Sequence, residues 1–424
     1  MKLDEYMKKY GLVWEFPHSC IFSVLSNGEE TIYWVDLDGF RKDSFFITVD
    51  KTDEVTGKLS FTEFYRQIPD LLNSGWDKEC SIGPDHITEW IEGFAENYNI
   101  SLVKEFDMSY RKEQRTRAKG LLEDMFHDPG NGSFNGRNYK FILKNPKENL
   151  WSGICEDAIK YFEDNNIPWW ESDIHTPTGH LLSSQVACVN HLYPIRQRQD
   201  LATAMLKAID KDIICAEKLD DGYVEFEIVG SQNYLHERQH TRGANATSID
   251  AVMLGRKAKK NVLFLIEWKY TENYNSDCMY IKPRWEIYNP LLEENDCPIN
   301  SSIVMIGAAN PFKALYYEPF YQLMRQTLLG WKMVESNEYG ADEYIHLHIV
   351  PDENKEMLGV ITSKELSEIA SQNNLKTMEE IWKYVLKEPK RYIRISPKKF
   401  LDPIRNELDT VSFMQYINKR YWCI

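Results

Sequence analysis

The chain has 424 residues, 43% of them hydrophobic, 27% charged and 13% aromatic, and carries a formal net charge of −15 at pH 7. That length and apolar content allow a large core divided between two or three domains, while the acidic balance counts against binding that draws its affinity from phosphate contacts alone. No apolar run approaches the roughly 20 residues that span a bilayer, Met1-Lys2-Leu3-Asp4-Glu5 opens no signal peptide, and the eight cysteines include no C-x-x-C pair; a cytoplasmic protein with reduced thiols and no membrane partner is expected.

From the N-terminus, short β-like runs occupy residues 21–25, 31–35 and 45–49, split by polar turns, and helical patterns follow at 60–72 and 87–98. The turn-forming stretch Asp128-Pro129-Gly130-Asn131-Gly132 to Asn135-Gly136 then suggests a boundary. The expected division is an N-terminal α+β domain over 1–140 with no assigned role, a second domain over 141–350, and a mainly helical C-terminal extension over 351–424.

Within the second domain a helix is expected over 150–165, then an extended edge at Ile167-Pro168-Trp169-Trp170 whose tryptophans could stack on bases but more commonly lie in a core. Ser183 or Ser184 can cap a helix running to Tyr193, a second helix covers 200–209, and residues 222–230 alternate as a strand, whose Glu227 could be an extra ligand but is expected to face solvent. Residues 247–254 and 262–266 are β-like, 302–306 is a candidate strand, Pro319 opens an amphipathic helix, and 344–350 closes the set as a strand.

The most informative feature is the apolar run Val262-Leu263-Phe264-Leu265-Ile266 ending in Glu267-Trp268-Lys269. A strand apolar on both faces belongs at the centre of a covered sheet and has no structural need for a carboxylate and an ammonium. Folding the two strands symmetrically about Lys257-Ala258-Lys259-Lys260 sets Asp250 opposite Glu267, where paired Cβ atoms lie about 4.5–5.5 Å apart. Glu267 and Lys269 share one face and Trp268 takes the other. Two carboxylates so close call for a cation, and Mg²⁺, with Mn²⁺ as a substitute, fits one or two carboxylates plus water and phosphate oxygens. This reads as a metal-dependent phosphodiesterase site.

The order helix, three strands, helix, strand, with Asp250, Glu267 and Lys269 as a D…(D/E)xK signature, resembles the PD-(D/E)xK nuclease superfamily over about residues 151–350. The resemblance implies an α/β (α+β, mixed-sheet) fold with a restriction-endonuclease-like αβββαβ core. It implies a Mg²⁺-dependent endonuclease that cleaves nucleic acid, DNA first, in restriction or defence, with a homodimer as the candidate assembly. Asp250 and Glu267 would hold the metal, completed by the Trp268 carbonyl; Lys269 would orient the attacking water or stabilise developing charge. Gln322, from the Pro319 helix, would act near the phosphate, with Arg325 next. Two departures stand out: Gln185 occupies the first core helix where that family often has a glutamate, and Ser248-Ile249 precedes Asp250 in place of the proline.

Arg256, Lys257, Lys259 and Lys260 are candidate phosphate contacts or simply a solvated hairpin tip; the clusters Arg111 to Lys119 and Lys387 to Lys399 read as solvated helix faces. His346 and His348 alternate on one strand without a third zinc ligand and read as buried histidines, His236 and His240 lack a zincin pattern, and His180 could approach the site. Lys269→Ala is expected to fold normally and lose cleavage. The rival to a nuclease is a catalytically inactive nuclease-like module that holds nucleic acid or a protein partner.

Overall fold

The computed structural model describes four strands within residues 20–59, together with residues 110–134, 137–242, 246–272, 274, 277–305, 312–407 and 410–422. The helices expected at 60–72 and 87–98 lie outside the described residues. The chain divides into two compact units, Met1–Ser109 and Tyr110–Ile424. In the first, β1 (Cys20–Ser26), β2 (Glu29–Arg41), β3 (Ser44–Lys51) and β4 (Glu54–Leu59) form an antiparallel meander in chain order, and the three expected β-like runs fall in β1, β2 and β3.

The second unit opens with α1 (Tyr110–Leu121). The turn-rich stretch read as a boundary is folded inside this unit: the buried Asp128 carboxylate accepts from the backbone N–H of Gly130, Lys144 and Asn145, and β5 (Gly132–Phe134) pairs with β6 (Arg137–Tyr139). An Asp that closes such a turn looks like a linker in sequence because the residues it bonds lie further along the chain. After α2 (Cys155–Asp164), residues 167–169 are irregular and join no strand, and a turn follows in which Trp169 N–H bonds to Asp173 O at 2.9 Å and Ser172 N–H to Trp169 O at 3.0 Å. Then come α3 (Ser184–Leu192), capped by the Ser183 side chain, and α4 (Gln199–Ile209).

One mixed sheet organises the unit, in the order β12–β11–β10–β9–β7, with β8 also on β9. Its strands are β7 (Cys215–Glu217), β8 (Glu225–Ile228), β9 (Ile249–Arg256), β10 (Asn261–Trp268), β11 (Glu343–Ile349) and β12 (Tyr392–Ile395). β10 is antiparallel to β9 and parallel to β11, and the crossover between β10 and β11 carries α5 (Lys282–Leu292) and α6 (Phe320–Glu335). Residues 302–305 are not a strand; Ser301–Val304 is a helical turn capped by the Asn300 side chain.

Alternation along β9 and β10 explains why both faces are covered. Ala251, Met253, Phe264, Ile266 and Trp268 enter one core with α2, α3 and α4; Val252, Leu254, Leu263 and Leu265 enter the other with α5 and α6. The C-terminal residues belong to this same body. β12 extends the sheet beside β11, and α7 (Lys364–Gln372), α8 (Met378–Val385) and α9 (Val411–Ile417) fill the two cores. The result is a mixed α/β protein with a restriction-endonuclease-like core of α3, β8, β9, β10, α6 and β11.

Candidate active site

The β9–β10 ladder runs in a constant-sum register from Asn261↔Arg256 to Ile266↔Ala251 and stops there, so the next positions across are Glu267 and Asp250. With no ladder partner, the Trp268 N–H donates to Asp250 Oδ2 at 2.7 Å, while the Lys269 N–H turns the other way to Ile349 O at 2.8 Å. Because a strand residue's N–H and C=O leave by the same edge, the Trp268 carbonyl also faces the β9 side. The Glu267 side chain is fully buried, and Lys269 Nζ lies 2.5 Å from its Oε1. From α6, Gln322 Oε1 accepts from Lys269 Nζ at 2.7 Å, and Gln326 donates both to Ser248 O at 2.9 Å and to Glu267 Oε2. Asp250, Trp268, Lys269, Gln322, Arg325 and Gln326 line one cleft of about 780 Å³.

A third carboxylate joins them. Glu227 does not face solvent as the alternation of its strand implies. Its backbone takes a left-handed φ of 52°, its side chain is buried, and its oxygens accept from Gln185 Nε2 at 2.9 Å and Ser248 Oγ at 2.7 Å. The β8–β9 register sets it across from Asp250. Burial, then the charges of Glu267 and Glu227, push the Asp250 carboxyl well above the usual carboxylate range. Burial also raises Glu227, opposed by its bonds to Ser248 and Gln185 and reinforced by Glu267. Burial works against the charge of Lys269, but Glu267, Tyr274, Glu272 and Asp250 together outweigh it and hold the ammonium well above its ordinary value. Three acidic groups thus lie close together where burial and mutual repulsion oppose their charging.

Residues 121–422 match the model of a family described as Restriction Endonuclease associating with ARP. The chain belongs to that family. No curated protein and no solved structure matches it.

In this restriction-endonuclease family member the basic hairpin tip stands apart from the cleft. It closes the opposite end of β9 and β10, six residues along β9 from Asp250 to Arg256, or about 20 Å at strand rise. There Arg256 pairs with Glu217 at 2.5 Å, Lys257 with Asp210 at 2.5 Å and Glu343 at 3.1 Å, and Lys260 with Glu343; Lys259 is exposed. Arg325, by contrast, lies in the cleft over the Tyr321 ring at 4.6 Å and reaches Thr247 Oγ1 at 3.3 Å. His346 and His348 are buried beside Thr327 and Tyr392, His348 Nδ1 lying 2.8 Å from the Tyr392 hydroxyl. His180 is buried at the cleft wall, and burial with Arg111 and Arg115 nearby pushes its imidazole down to about 3, so it stands neutral.

The sequence places Gln326 with Gln322 and Arg325 on the polar face of the Pro319 helix without giving it a role, and it does not reveal the part of Ser248 or the inward turn of Glu227. Nothing in the alternation of β8 announces the left-handed residue that redirects Glu227.

Proposed function

We propose that this chain is a metal-dependent nuclease of PD-(D/E)xK type that hydrolyses phosphodiester bonds, DNA first, in restriction or defence. The observation that carries the reading is the convergence of Asp250, Glu267 and Lys269 where β9 and β10 part, with Asp250 and Lys269 lining a cleft and Glu267 fully buried next to that lysine. A fully buried glutamate beside a partly buried aspartate, with a lysine on the same strand, has no packing role that leucines would not serve better.

The donor set suits Mg²⁺ or Mn²⁺. Asp250, Glu267 and the Trp268 carbonyl are all hard oxygens, and a cation held by so few protein ligands takes its remaining ones from water and phosphate oxygens; among the described residues no group of three His, Cys, Asp or Glu side chains is placed to hold a metal. When bound, such a cation supplies Lewis-acid polarisation of the scissile phosphate. Lys269 would hold the attacking water or steady the charge growing on the phosphate, Gln322 would keep the lysine aimed, and Arg325 would contact a phosphate oxygen from the cleft wall. The family description names ARP as an associate, and a protein partner is part of this reading.

One observation favours the alternative of an inactive nucleic-acid-holding or protein-interaction module. Both Glu267 oxygens are already engaged, by Lys269 and Gln326. Incubating the full chain with single- and double-stranded DNA and RNA in Mg²⁺, Mn²⁺ or EDTA separates the two. The nuclease reading expects cleavage that EDTA stops and that Asp250→Asn lowers by orders of magnitude. Retention without cutting in either metal, or undiminished cutting by Asp250→Asn, would reject it.

A further inference from the structure

The mouth of the cleft carries a large aromatic surface that cleavage chemistry does not use. Trp170 lines the cleft and is 43% exposed, whereas its neighbour Trp169 is fully buried and stacked on Phe162 with ring centroids 3.8 Å apart. The buried ring anchors the turn and leaves the second ring held out in the opening. Phe134 supports the Trp170 ring from 5.4 Å at a tilt of 36°, and His180 meets it edge-on at 5.4 Å. An apolar ring of this size, exposed yet braced by two other rings, is prepared for contact with something flat.

Its position relative to the acids is fixed by an unbroken chain of hydrogen bonds. The Trp170 N–H donates to Gln185 Oε1 at 2.7 Å, Gln185 Nε2 to Glu227 at 2.9 Å, and Ser248 Oγ to the other Glu227 oxygen at 2.7 Å. Gln326 then joins Ser248 O to Glu267. Gln185, which replaces a glutamate of the resembling nucleases, thus ties the aromatic turn to the carboxylates.

Resting on the nuclease reading above, we propose that Trp170 is the stacking platform for an unpaired base beside the scissile phosphate, so that the substrate is single-stranded there. A cleft of about 780 Å³ is the size of a small-molecule pocket and suits a single unpaired nucleotide. The ion-paired hairpin tip and the net charge of −15 also leave little attraction for a duplex backbone. Stacking on an aromatic ring supplies affinity that does not depend on phosphate charge and accepts any base.

The test compares wild type, Trp170→Ala and Trp170→Phe as full chains, with circular dichroism to establish folding. Affinity is measured in Ca²⁺ for a short single-stranded DNA and for the blunt duplex of the same sequence, and cleavage of both is measured in Mn²⁺. The proposal expects tighter binding of the single strand, a loss of about 5- to 150-fold for Trp170→Ala, substantial recovery for Trp170→Phe, and a rise in KM for single-strand cleavage. Equal binding by a folded Trp170→Ala, or preferred binding and cleavage of the blunt duplex, overturns the platform while leaving the nuclease standing. Platform-dependent binding with no cleavage in any metal overturns the nuclease reading instead.

Discussion

Lys269 and Glu267 form a pair 2.5 Å apart in which one side chain is fully buried and the other nearly so, which changes what removal of either should do. At a sheet rim the pair would be worth about 0–1 kcal/mol, and Lys269→Ala would fold as wild type. Buried, the same change strands the Glu267 carboxylate without its cation, at a cost of roughly 3–5 kcal/mol. The expected outcome in EDTA is therefore a marked fall in the urea midpoint of Lys269→Ala, with much of it restored by adding Glu267→Gln, whose amide needs no counter-charge. A Lys269→Ala protein as stable as wild type would show the pair to be solvated. This residue reverses the expectation drawn from sequence, because a charged residue closing an apolar strand cannot be placed inside or at the rim until the covering helix is known; here that helix is α6, with Gln322 and Gln326 closing over the pair.

Helix α6 sets how closely the acids can be covered. Gly330 faces β10, and a Cβ there would overlap the Cδ1 of Leu265, a fully buried side chain with no room to swing away. Gly330→Ala should accordingly cost about 1–3 kcal/mol in denaturant unfolding and lower cleavage as well, since Leu265 lies two residues before Glu267 on the same strand. An unchanged midpoint would mean the helix can retreat without loss. The β9–β10 register was legible beforehand because both strands are apolar and the tip between them is short and polar, so one arithmetic sum fixed Asp250 against Glu267. What surrounds that hairpin was not. The acids that pair with its tip, Asp210, Glu217 and Glu343, come from elements remote in sequence, so the tip read as a free basic patch. β12 was hidden because four residues, Tyr392-Ile393-Arg394-Ile395, within a basic stretch carry too little pattern to mark a strand. Glu227 was assigned outward because strand alternation assumes regular backbone, and a single left-handed φ breaks it.

Over the whole second unit, two cores packed against both faces of one sheet take in polar groups that must remain uncharged. His180, His191 and His346 are all buried and held down to about 3, in each case first by burial, and His348 is pushed well below its ordinary value by burial and then by Lys269. In the unfolded chain each would titrate near 6.5. Below that value the unfolded state binds more protons than the folded one, so stability is complete above about pH 6.5 and is lost progressively as the pH falls toward 3. Denaturant midpoints should drop steeply between pH 7.5 and pH 5, and His346→Gln should flatten that slope. A midpoint constant across the range would contradict the burial of these rings. No helix among the described residues is long and apolar enough to cross a membrane.

The central claim, that Asp250 and Glu267 share a divalent cation, is tested most directly by anomalous diffraction from crystals grown in Mn²⁺. The account predicts an anomalous peak between the two carboxylates, about 2.0–2.2 Å from an oxygen of each, that disappears in Asp250→Asn. Well-ordered Asp250 and Glu267 side chains with no peak between them, or a Mn²⁺ peak elsewhere in the cleft that survives Asp250→Asn, would contradict it.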